Sequence, residues 1–284
     1  MFGTAIIVFR EILEASIIIG ILAAATRNIP GSRRWLAAGL LAGLVGSGVV
    51  AASTDAIGSL ASGIGQEIFN AIVLGIAVLM LAWHNIWMSS HGAALAANAR
   101  RVGGAIRDGN REGSVLLVIV GLAVLREGSE TVLFLYGIAA SGDGGQSSMI
   151  LGGMVGMLLG IAVGYTIYAG LLRVPMRWFF AATGALVLLL AAGMASQAAH
   201  FLIQADLLPS LAAPLWDTSA ALPENGLPGM LLHSLIGYDS HPAGMQLVFY
   251  VTALVVIASG MKWAKRAHQP TPSTPSSAPS TGAV

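Results

Sequence analysis

The stretch FREILEAS, residues 9–16, places Arg10, Glu11 and Glu14 inside an otherwise apolar segment. The stretch LREGSETV, residues 125–132, repeats the pattern R-E-x-x-E in a second apolar segment. A charged side chain in the middle of a membrane costs a few kcal/mol on insertion scales, so such residues persist where they serve a function. A costly pattern that occurs twice in one chain therefore predicts a functional site and a duplicated structural unit.

The composition of the chain is typical of a membrane protein. Of its 284 residues, 56% are hydrophobic and 10% are charged, whereas soluble domains carry about 25% charged residues. The chain contains no Cys, so it forms no disulfide bond, and any metal ion must be bound by oxygen or nitrogen atoms. These properties predict a polytopic membrane protein.

Apolar runs long enough to cross a bilayer as a helix, which takes about 20 residues, occur seven times. They lie near residues 3–25, 35–54, 68–88, 114–139, 148–171, 178–199 and 244–262. The first run has no basic region and no cleavage site before it, so we expect a retained helix and not a removed signal peptide. The sequence predicts an all-α integral membrane protein with seven transmembrane helices.

The basic residues predict the orientation of these helices. Apart from Arg10 and Arg126, every Lys and Arg lies on one side, in the segments after the first, third, fifth and seventh spans. The segments on the opposite side carry acidic residues and no Lys or Arg: Asp55, Asp143, Asp206, Asp217, Glu224 and Asp239. Because loops on the cytoplasmic side are enriched in Lys and Arg, we expect the amino terminus outside and the carboxyl terminus in the cytoplasm of a multi-pass inner (plasma) membrane protein.

The second and fifth spans support a repeat of three helices. GLLAGLVGSGVVA, residues 39–51, and GGMVGMLLGIAVG, residues 152–164, each carry small residues at a spacing of four. Such ridges let helices pack closely in lipid, so we interpret these glycines as packing residues. Since a unit with three spans must insert its second copy upside down, the sequence predicts an inverted three-plus-three repeat with one additional helix.

The predicted domain boundaries follow from this repeat. We expect a transmembrane domain over residues 1–265 and a disordered cytoplasmic tail, rich in Pro, Ser and Thr, over residues 266–284. Within the domain the predicted parts are repeat one (about 1–112), repeat two (about 113–200), an outer loop (about 200–243) and the seventh helix (about 244–262).

The two motifs together predict a cation site. On a helix, residues three and four apart share a face, so each motif directs one arginine and two carboxylates the same way. By helical rise, both motifs lie near the middle of the membrane, about 12 to 17 Å below the outer surface. Glutamates outnumber arginines four to two, and this excess of negative charge favours a hard cation bound by oxygen. The alternative is that each Arg neutralises one Glu and that the remaining acids only join helices.

Other polar residues permit a functional and a structural interpretation. Glu67 begins the third span at the outer surface, where acids favour a helix amino terminus; a role in ion access is equally open. His84 and His91 are placed near the cytoplasmic end of the third span, so we interpret them as interfacial anchors more readily than as ligands. The outer loop could hand over a cation or dock a partner, or its polar residues could simply be solvated loop residues. These residues are His200, Asp206, Asp217, Glu224, His233, Asp239 and His241. Its segment LPGMLLHSLIGYDSHP is too short to span and is expected to be re-entrant or interfacial.

The chain resembles the oxidase-dependent iron transporter family, which comprises fungal high-affinity iron permeases and bacterial EfeU-type permeases. The resemblance rests on the two R-E-x-x-E motifs and on QEIFNAIVLGIAVLMLAWHNIWM, AAGMASQAAH and SLIGYDSHP, and it extends over residues 1–262. It departs from the family at Ile12, where the first motif often has glycine; Gly128 is kept in the second.

The resemblance implies the site and the function. The metal-binding residues would be Glu11, Glu14, Glu127 and Glu130, supported by Arg10 and Arg126, with Glu67 on a possible access path. The chain would be a high-affinity iron permease and not an enzyme, with iron (Fe2+ or Fe3+) as substrate and no permanently bound cofactor. Implied partners are a periplasmic iron-binding protein and a haem peroxidase or ferroxidase, besides membrane lipid; no nucleic acid is implied.

Three other functions are open from the sequence. A permease for another divalent metal, such as lead or manganese, fits because carboxylate sites discriminate weakly among hard cations. A subunit that senses iron without moving it also fits. An intramembrane protease fits poorly, since the chain has no H-E-x-x-H motif and its acids occur as duplicated Arg-linked pairs.

Overall fold

The computed structural model describes residues 1–60, 65–141, 145–169, 176–223 and 226–267. Within these ranges the chain forms eight α-helices and no β-strand. The helices are α1 (Phe2–Ala25), α2 (Ser32–Leu60), α3 (Gln66–Arg107), α4 (Val115–Ala140), α5 (Gln146–Tyr168), α6 (Met176–Gln204), α7 (Leu227–Ile236) and α8 (Gly244–Ala267). The all-α prediction is confirmed for this part of the chain.

Most of these helices are suited to a bilayer. Among the described residues, five stretches are long and apolar enough to cross a membrane: Ser32–Thr54, Gln66–Gly92, Gln146–Tyr168, Ala181–Gln204 and Gly244–Ala267. The helices α1 and α4 are of similar length, 24 and 26 residues, but each carries the three charged residues of one motif. Exposed apolar side chains such as Leu41, Val45 and Leu158 cover the outside of the bundle. An apolar exterior of this extent needs a bilayer to cover it, so the chain is an integral membrane protein.

Two helix pairs, α1 with α5 and α2 with α4, approach each other through glycines. A Cβ atom at Gly156 of α5 would overlap the carbonyl oxygen of Ala5 on α1. A Cβ atom at Gly43 of α2 would lie 2.8 Å from the carbonyl oxygen of Gly121 on α4. Backbones this close leave no room for a side chain, which confirms the predicted packing role of the two small-residue ridges.

The third residue of each R-E-x-x-E motif packs against the small-residue ridge of the neighbouring helix. In one helix pair the larger of the two contacting residues belongs to the motif, and in the other pair it belongs to the ridge. In the first motif this residue is Ile12, and a Cβ atom at Gly160 of α5 would lie 2.8 Å from its Cγ2 atom. In the second motif it is Gly128, which packs against the hydroxyl and Cβ of Ser47 on α2. Each pair therefore holds one larger and one smaller residue, and Ile12 is accommodated because the facing residue is glycine.

Helix α3 lies at the centre of the bundle, against α1, α4, α6 and α8. Its Leu74 and Leu81 belong to an apolar core that also contains Ile7 of α1 and Phe134 of α4, and all four side chains are at most 1% exposed. Asn85 fixes α3 to α6, since its Nδ2 atom donates a hydrogen bond to the carbonyl oxygen of Gly184 at 2.9 Å. The side chains near Asn85 are consequently held in the interior.

The third helix is much longer than the sequence predicted. The apolar run ends near residue 88, but α3 continues to Arg107 and is 42 residues long. The added part, SSHGAALAANARRVGGAIR, is rich in alanine, which has the highest helix propensity, so the helix continues after the apolar pattern stops. His84 therefore lies inside α3 and not near its end.

A short helix, α7, lies within the predicted outer loop. Helix α7 has ten residues, so it is too short to span a membrane, in agreement with the prediction. It ends at Gly237, whose φ of 68° is the left-handed conformation common after helices.

At the carboxyl terminus α8 continues to Ala267, so the predicted tail boundary at 266 is two residues too early; residues 268–284 lie outside the described residues.

Candidate metal site

The first motif forms a buried ion pair on α1. The Nε atom of Arg10 donates a hydrogen bond to Oε1 of Glu14 at 3.0 Å, and its Nη1 atom lies 4.0 Å from Oε1 of Glu11. The three side chains are 1 to 2% exposed. The predicted contact between residues four apart is confirmed, and the charges of this motif lie in the bundle interior.

The second motif forms the corresponding pair on α4, in a more open environment. The Nε atom of Arg126 donates a hydrogen bond to Oε1 of Glu130 at 3.1 Å and lies 3.9 Å from Oε1 of Glu127. The guanidinium carbon of Arg126 lies 4.3 Å from the centre of the Trp87 ring on α3, a cation–π arrangement. Arg126 is 38% exposed and Glu130 15%, so this motif is less enclosed than the first.

His84 of α3 lies between the two motifs. Its Nδ1 atom contacts Oε2 of Glu130, and its Nε2 atom lies 3.7 Å from Oε2 of Glu14. The side chain is 2% exposed. The interpretation of His84 as an interfacial anchor is therefore wrong, because α3 packs against α1 and α4 and buries His84 between their acidic residues. His91, one turn beyond Trp87, stacks on that ring with centroids 4.7 Å apart.

Four side chains from three helices converge on one point. They are Glu11 of α1, His84 of α3, and Glu127 and Glu130 of α4, here called the four-residue group. Each offers one nitrogen or oxygen atom, and these atoms lie within 4.8 Å of one another. Three of the four glutamates singled out by the sequence belong to this group, whereas Glu14 lies beside it and contacts Arg10 and His84.

Several oxygens of this group form no hydrogen bond with the described residues. Both carboxylate oxygens of Glu11 and the Oε2 atom of Glu127 are buried and accept no hydrogen bond from any residue that the structure describes. Buried polar atoms are rarely left unsatisfied, because their desolvation costs about 1–3 kcal/mol each. A cation would satisfy these oxygens and offset the repulsion between the carboxylates.

The dimensions of the group suit a first-row metal ion. Two ligands on opposite sides of an ion, with bonds of about 2.1 Å, lie about 4.2 Å apart. The four-residue group, with atoms within 4.8 Å of one another, needs only a small contraction to reach such bonds. Three carboxylates and one imidazole form a mixed oxygen and nitrogen donor set, which suits iron better than magnesium or calcium.

The remaining candidates lie away from this group. Glu67 is exposed in the first turn of α3, about 25 Å along the helix from His84. In the outer segment, hydrogen bonds from the hydroxyl and the backbone N–H of Ser219 lower the pKa of Asp217, whose Oδ1 also lies 3.1 Å from His241. Glu224 lies outside the described residues.

One signal in the sequence pointed to His84. An ionisable residue inside a membrane span is a candidate functional residue by default, and LAWHNIWM places His84 and Asn85 in such a span. The apolar pattern alone ended the span four residues after His84, which made an interfacial position the simpler interpretation. The helix propensity of residues 89–107 would have moved His84 to the middle of α3.

Comparison with known proteins adds an independent finding. A family model described as the iron permease FTR1 family matches residues 1–267. The ferrous iron permeases EfeU of Shigella sonnei (strain Ss046) and Escherichia coli O157:H7 are each 30% identical over 268 residues, covering 91% of this chain and 95% of the relative. The ferrous iron permease EfeU of Shigella flexneri is 32% identical over 198 residues, covering 68% of this chain and 83% of the relative. No solved structure matches the chain significantly.

Proposed function

The chain belongs to the iron permease FTR1 family, and from that membership we propose that it imports iron across the cytoplasmic membrane. Members of this family are transporters and not enzymes. The observation that carries the proposal is the convergence of Glu11, His84, Glu127 and Glu130 in the bundle, with buried carboxylate oxygens that accept no hydrogen bond from the described residues.

The proposed topology has seven membrane-spanning helices, α1 to α6 and α8, with the amino terminus outside. The distribution of Lys and Arg supports this orientation. The pairing of α1 with α5 and of α2 with α4 supports an inverted repeat, because each pair joins the first helix of one repeat to the second helix of the other. In this topology α7 lies on the outer side.

At the site, Glu11, Glu127 and Glu130 bind the ion through oxygen and His84 binds it through nitrogen. The four ligands replace part of the water around the ion as it reaches the middle of the membrane. Glu14 orients His84, and the motif arginines limit the repulsion between the carboxylates. Because an imidazole nitrogen suits iron and the relatives named above are ferrous iron permeases, we propose Fe2+ as the substrate.

The two arginines mark the two sides of the site. Since α1 and α4 run in opposite directions, Arg10 lies toward the outer surface and Arg126 toward the cytoplasm. Arg10 is 2% exposed and Arg126 is 38% exposed. A lipid-facing charge at this depth is costly, so the exposed part of Arg126 faces water that enters from the cytoplasmic side. We therefore propose that the site is closed toward the outside and more open toward the cytoplasm.

The access path and the partners belong to the same proposal. Glu67, exposed at the outer end of α3, concentrates cations near the membrane surface. The resemblance implies a periplasmic iron-binding protein and a haem peroxidase or ferroxidase as partners that supply iron, and the outer segment is the part of the chain that faces them.

Uptake of radioactive iron tests the proposal. Cells that lack their own iron transporters would express the wild type, Glu11→Gln, Glu127→Gln or Glu67→Gln at matched membrane abundance. We expect Glu11→Gln and Glu127→Gln to lower uptake at least about tenfold, since each removes a charged ligand, and Glu67→Gln to retain most of it. Normal uptake in both motif variants would show that the ion crosses elsewhere.

A further inference from the structure

A cavity lined by both apolar and polar residues lies between α1, α4, α6 and the segment that follows α7. Its volume is about 40 Å³. Thr4 of α1, Ser141 at the end of α4 and Gln197 of α6 line it, together with Asp239 and Gln246 from the carboxyl-terminal part of the chain. A water molecule needs about 10–15 Å³ of such space, so the cavity holds about three waters or one partly hydrated ion.

Thr4 is the unsatisfied group of this cavity. Its side chain is 1% exposed, and its hydroxyl has no hydrogen-bond partner within the described ranges. A hydroxyl that is buried and unbonded beside a cavity indicates that something else in the cavity satisfies it.

Asp239 supplies the negative charge. Its Oδ1 atom accepts a hydrogen bond from the backbone N–H of His241 at 2.8 Å, and its Oδ2 atom accepts one from Nε2 of Gln246 at 3.1 Å. Gln246 is 2% exposed and is itself fixed by the backbone N–H of Ala243. The carboxylate is thus held in one orientation. No Lys or Arg is among the described residues that line the cavity, although Met1, with the amino terminus, and His233 also line it.

The position of Asp239 follows from a close contact of two glycines. Gly237 ends α7 with a positive φ, and a Cβ atom at Gly193 of α6 would lie 2.8 Å from the Cα atom of Gly237. Backbones so close fix the turn after α7 against α6. Asp239 therefore reaches the cavity because the chain turns there.

The cavity lies directly outside the four-residue group. On α1, Thr4, Ile7 and Glu11 share one face, and Thr4 precedes Glu11 by about 10 Å along the axis. On α1, Ile7 comes between Thr4 and Glu11, and on α4 Phe134 follows Glu130 by one turn; their side chains are 1% and 0% exposed and belong to the same apolar cluster. An ion in the cavity is therefore separated from the four-residue group by one apolar layer.

We propose that this cavity is a second metal site, in which a divalent first-row ion that keeps part of its water shell waits outside the apolar layer of Ile7 and Phe134. Asp239 provides the charged ligand, and Thr4 and Gln197 bind the ion or its waters. The orientation of the cavity and the identity of the ion rest on the proposed function. The presence of a second ion does not, since it depends only on the residues that line the cavity.

Counting bound metal ions tests this site apart from transport. Purified protein would be equilibrated by anaerobic dialysis with Fe2+, and the bound ions per chain would be determined for the wild type, for Thr4→Val and for three further variants. The double variant Glu11→Gln and Glu127→Gln removes two of the three carboxylates of the four-residue group. Asp239→Asn removes the charged carboxylate from the cavity. Asp206→Asn, in an exposed turn of the same outer segment, is the matched control. We expect two sites in the wild type and the control, and one in each of the other two.

The outcomes separate the two proposals. If the double variant binds as much iron as the wild type while Asp239→Asn loses one ion, the proposed permease site is wrong and the cavity site stands. If Asp239→Asn and Thr4→Val both bind as the wild type does, the cavity contains ordinary water and the second site is refuted. Thr4→Val keeps the shape of the side chain and removes an unbonded hydroxyl, so without a ligand it would leave binding and thermal stability unchanged or improved.

Discussion

The Nδ1 atom of His84 contacts the Oε2 atom of Glu130, and this contact joins α3 to the second acidic motif. The other ring nitrogen of His84 faces Glu14 of the first motif. One imidazole on the central helix thus contacts both halves of the molecule. Any ion bound by the glutamates must share its surroundings with this ring.

Replacing His84 by glutamine should lower iron uptake at least about tenfold, because the variant lacks the ring nitrogens that we assign to the metal. Glutamine keeps a polar side chain of similar length, so the fold should survive. Uptake of radioactive iron and membrane abundance would be measured together. The matched control is His91→Gln, on the same helix but outside the four-residue group. Equal uptake by the two variants would contradict a role of His84 in binding.

The donor set also predicts which metals compete. One nitrogen among three carboxylates favours transition metals over Mg2+ and Ca2+, which prefer oxygen alone. Excess Mn2+ or Co2+ should therefore inhibit iron uptake by the wild type, whereas the same excess of Mg2+ or Ca2+ should not. His84→Asp makes the site all oxygen and should reduce this discrimination. Strong inhibition of the wild type by Mg2+ would show that the nitrogen does not contribute.

The sequence predicted the parts of the site that lie on single helices. Arg10 bonds to Glu14 and Arg126 to Glu130 because residues four apart share a helix face, whatever the fold. The small-residue ridges could also be identified from the sequence, since a spacing of four residues is a local pattern. The contact of α1 with α5 then follows from the need to cover such a ridge with another backbone.

The sequence pattern did not predict contacts between helices that are far apart in the chain. His84 reaches the motifs because α3 packs against both α1 and α4, and no local pattern in the sequence specifies that packing. The cavity at Thr4 is less predictable still. It joins Thr4 to Asp239 through a turn set by two glycines, and one hydroxyl in an apolar helix is an ordinary feature of membrane proteins.

Because Ile12 packs directly on Gly160, we expect substitutions at these two positions to be energetically coupled. Gly160→Ser should destabilise the protein by about 1–3 kcal/mol, because its Cβ atom would lie 2.8 Å from Ile12. Adding Ile12→Gly reproduces the arrangement of Gly128 and Ser47, so the double variant should recover part of that loss. Thermal unfolding in detergent would be measured for both single variants and the double variant.

Gly48→Ala is the control for this cycle, since nothing lies within 4 Å of a Cβ atom at that position of α2. It should be neutral or stabilising by about 0.5–1 kcal/mol, the usual preference of a helix for alanine over glycine. Additive effects of Ile12→Gly and Gly160→Ser would contradict direct packing between the two residues.

The different burial of the two arginines predicts different costs of removing them. Arg10→Gln leaves Glu14 and Glu11 without their cation in a fully buried position, where breaking an ion pair costs about 3–5 kcal/mol. Arg126→Gln removes the ion pair with Glu130, which solvent screens because Arg126 is 38% exposed, together with a cation–π contact to Trp87.

The stability lost in Arg126→Gln should be about 1–2 kcal/mol, so Arg10→Gln should lower the thermal unfolding midpoint much further. Arg10→Lys and Arg126→Lys keep the charge and should each recover part of the loss, which separates charge from shape. If the two Gln variants unfold at the same temperature, Arg126 is covered in the membrane by something other than water, and the inner side of the site is closed.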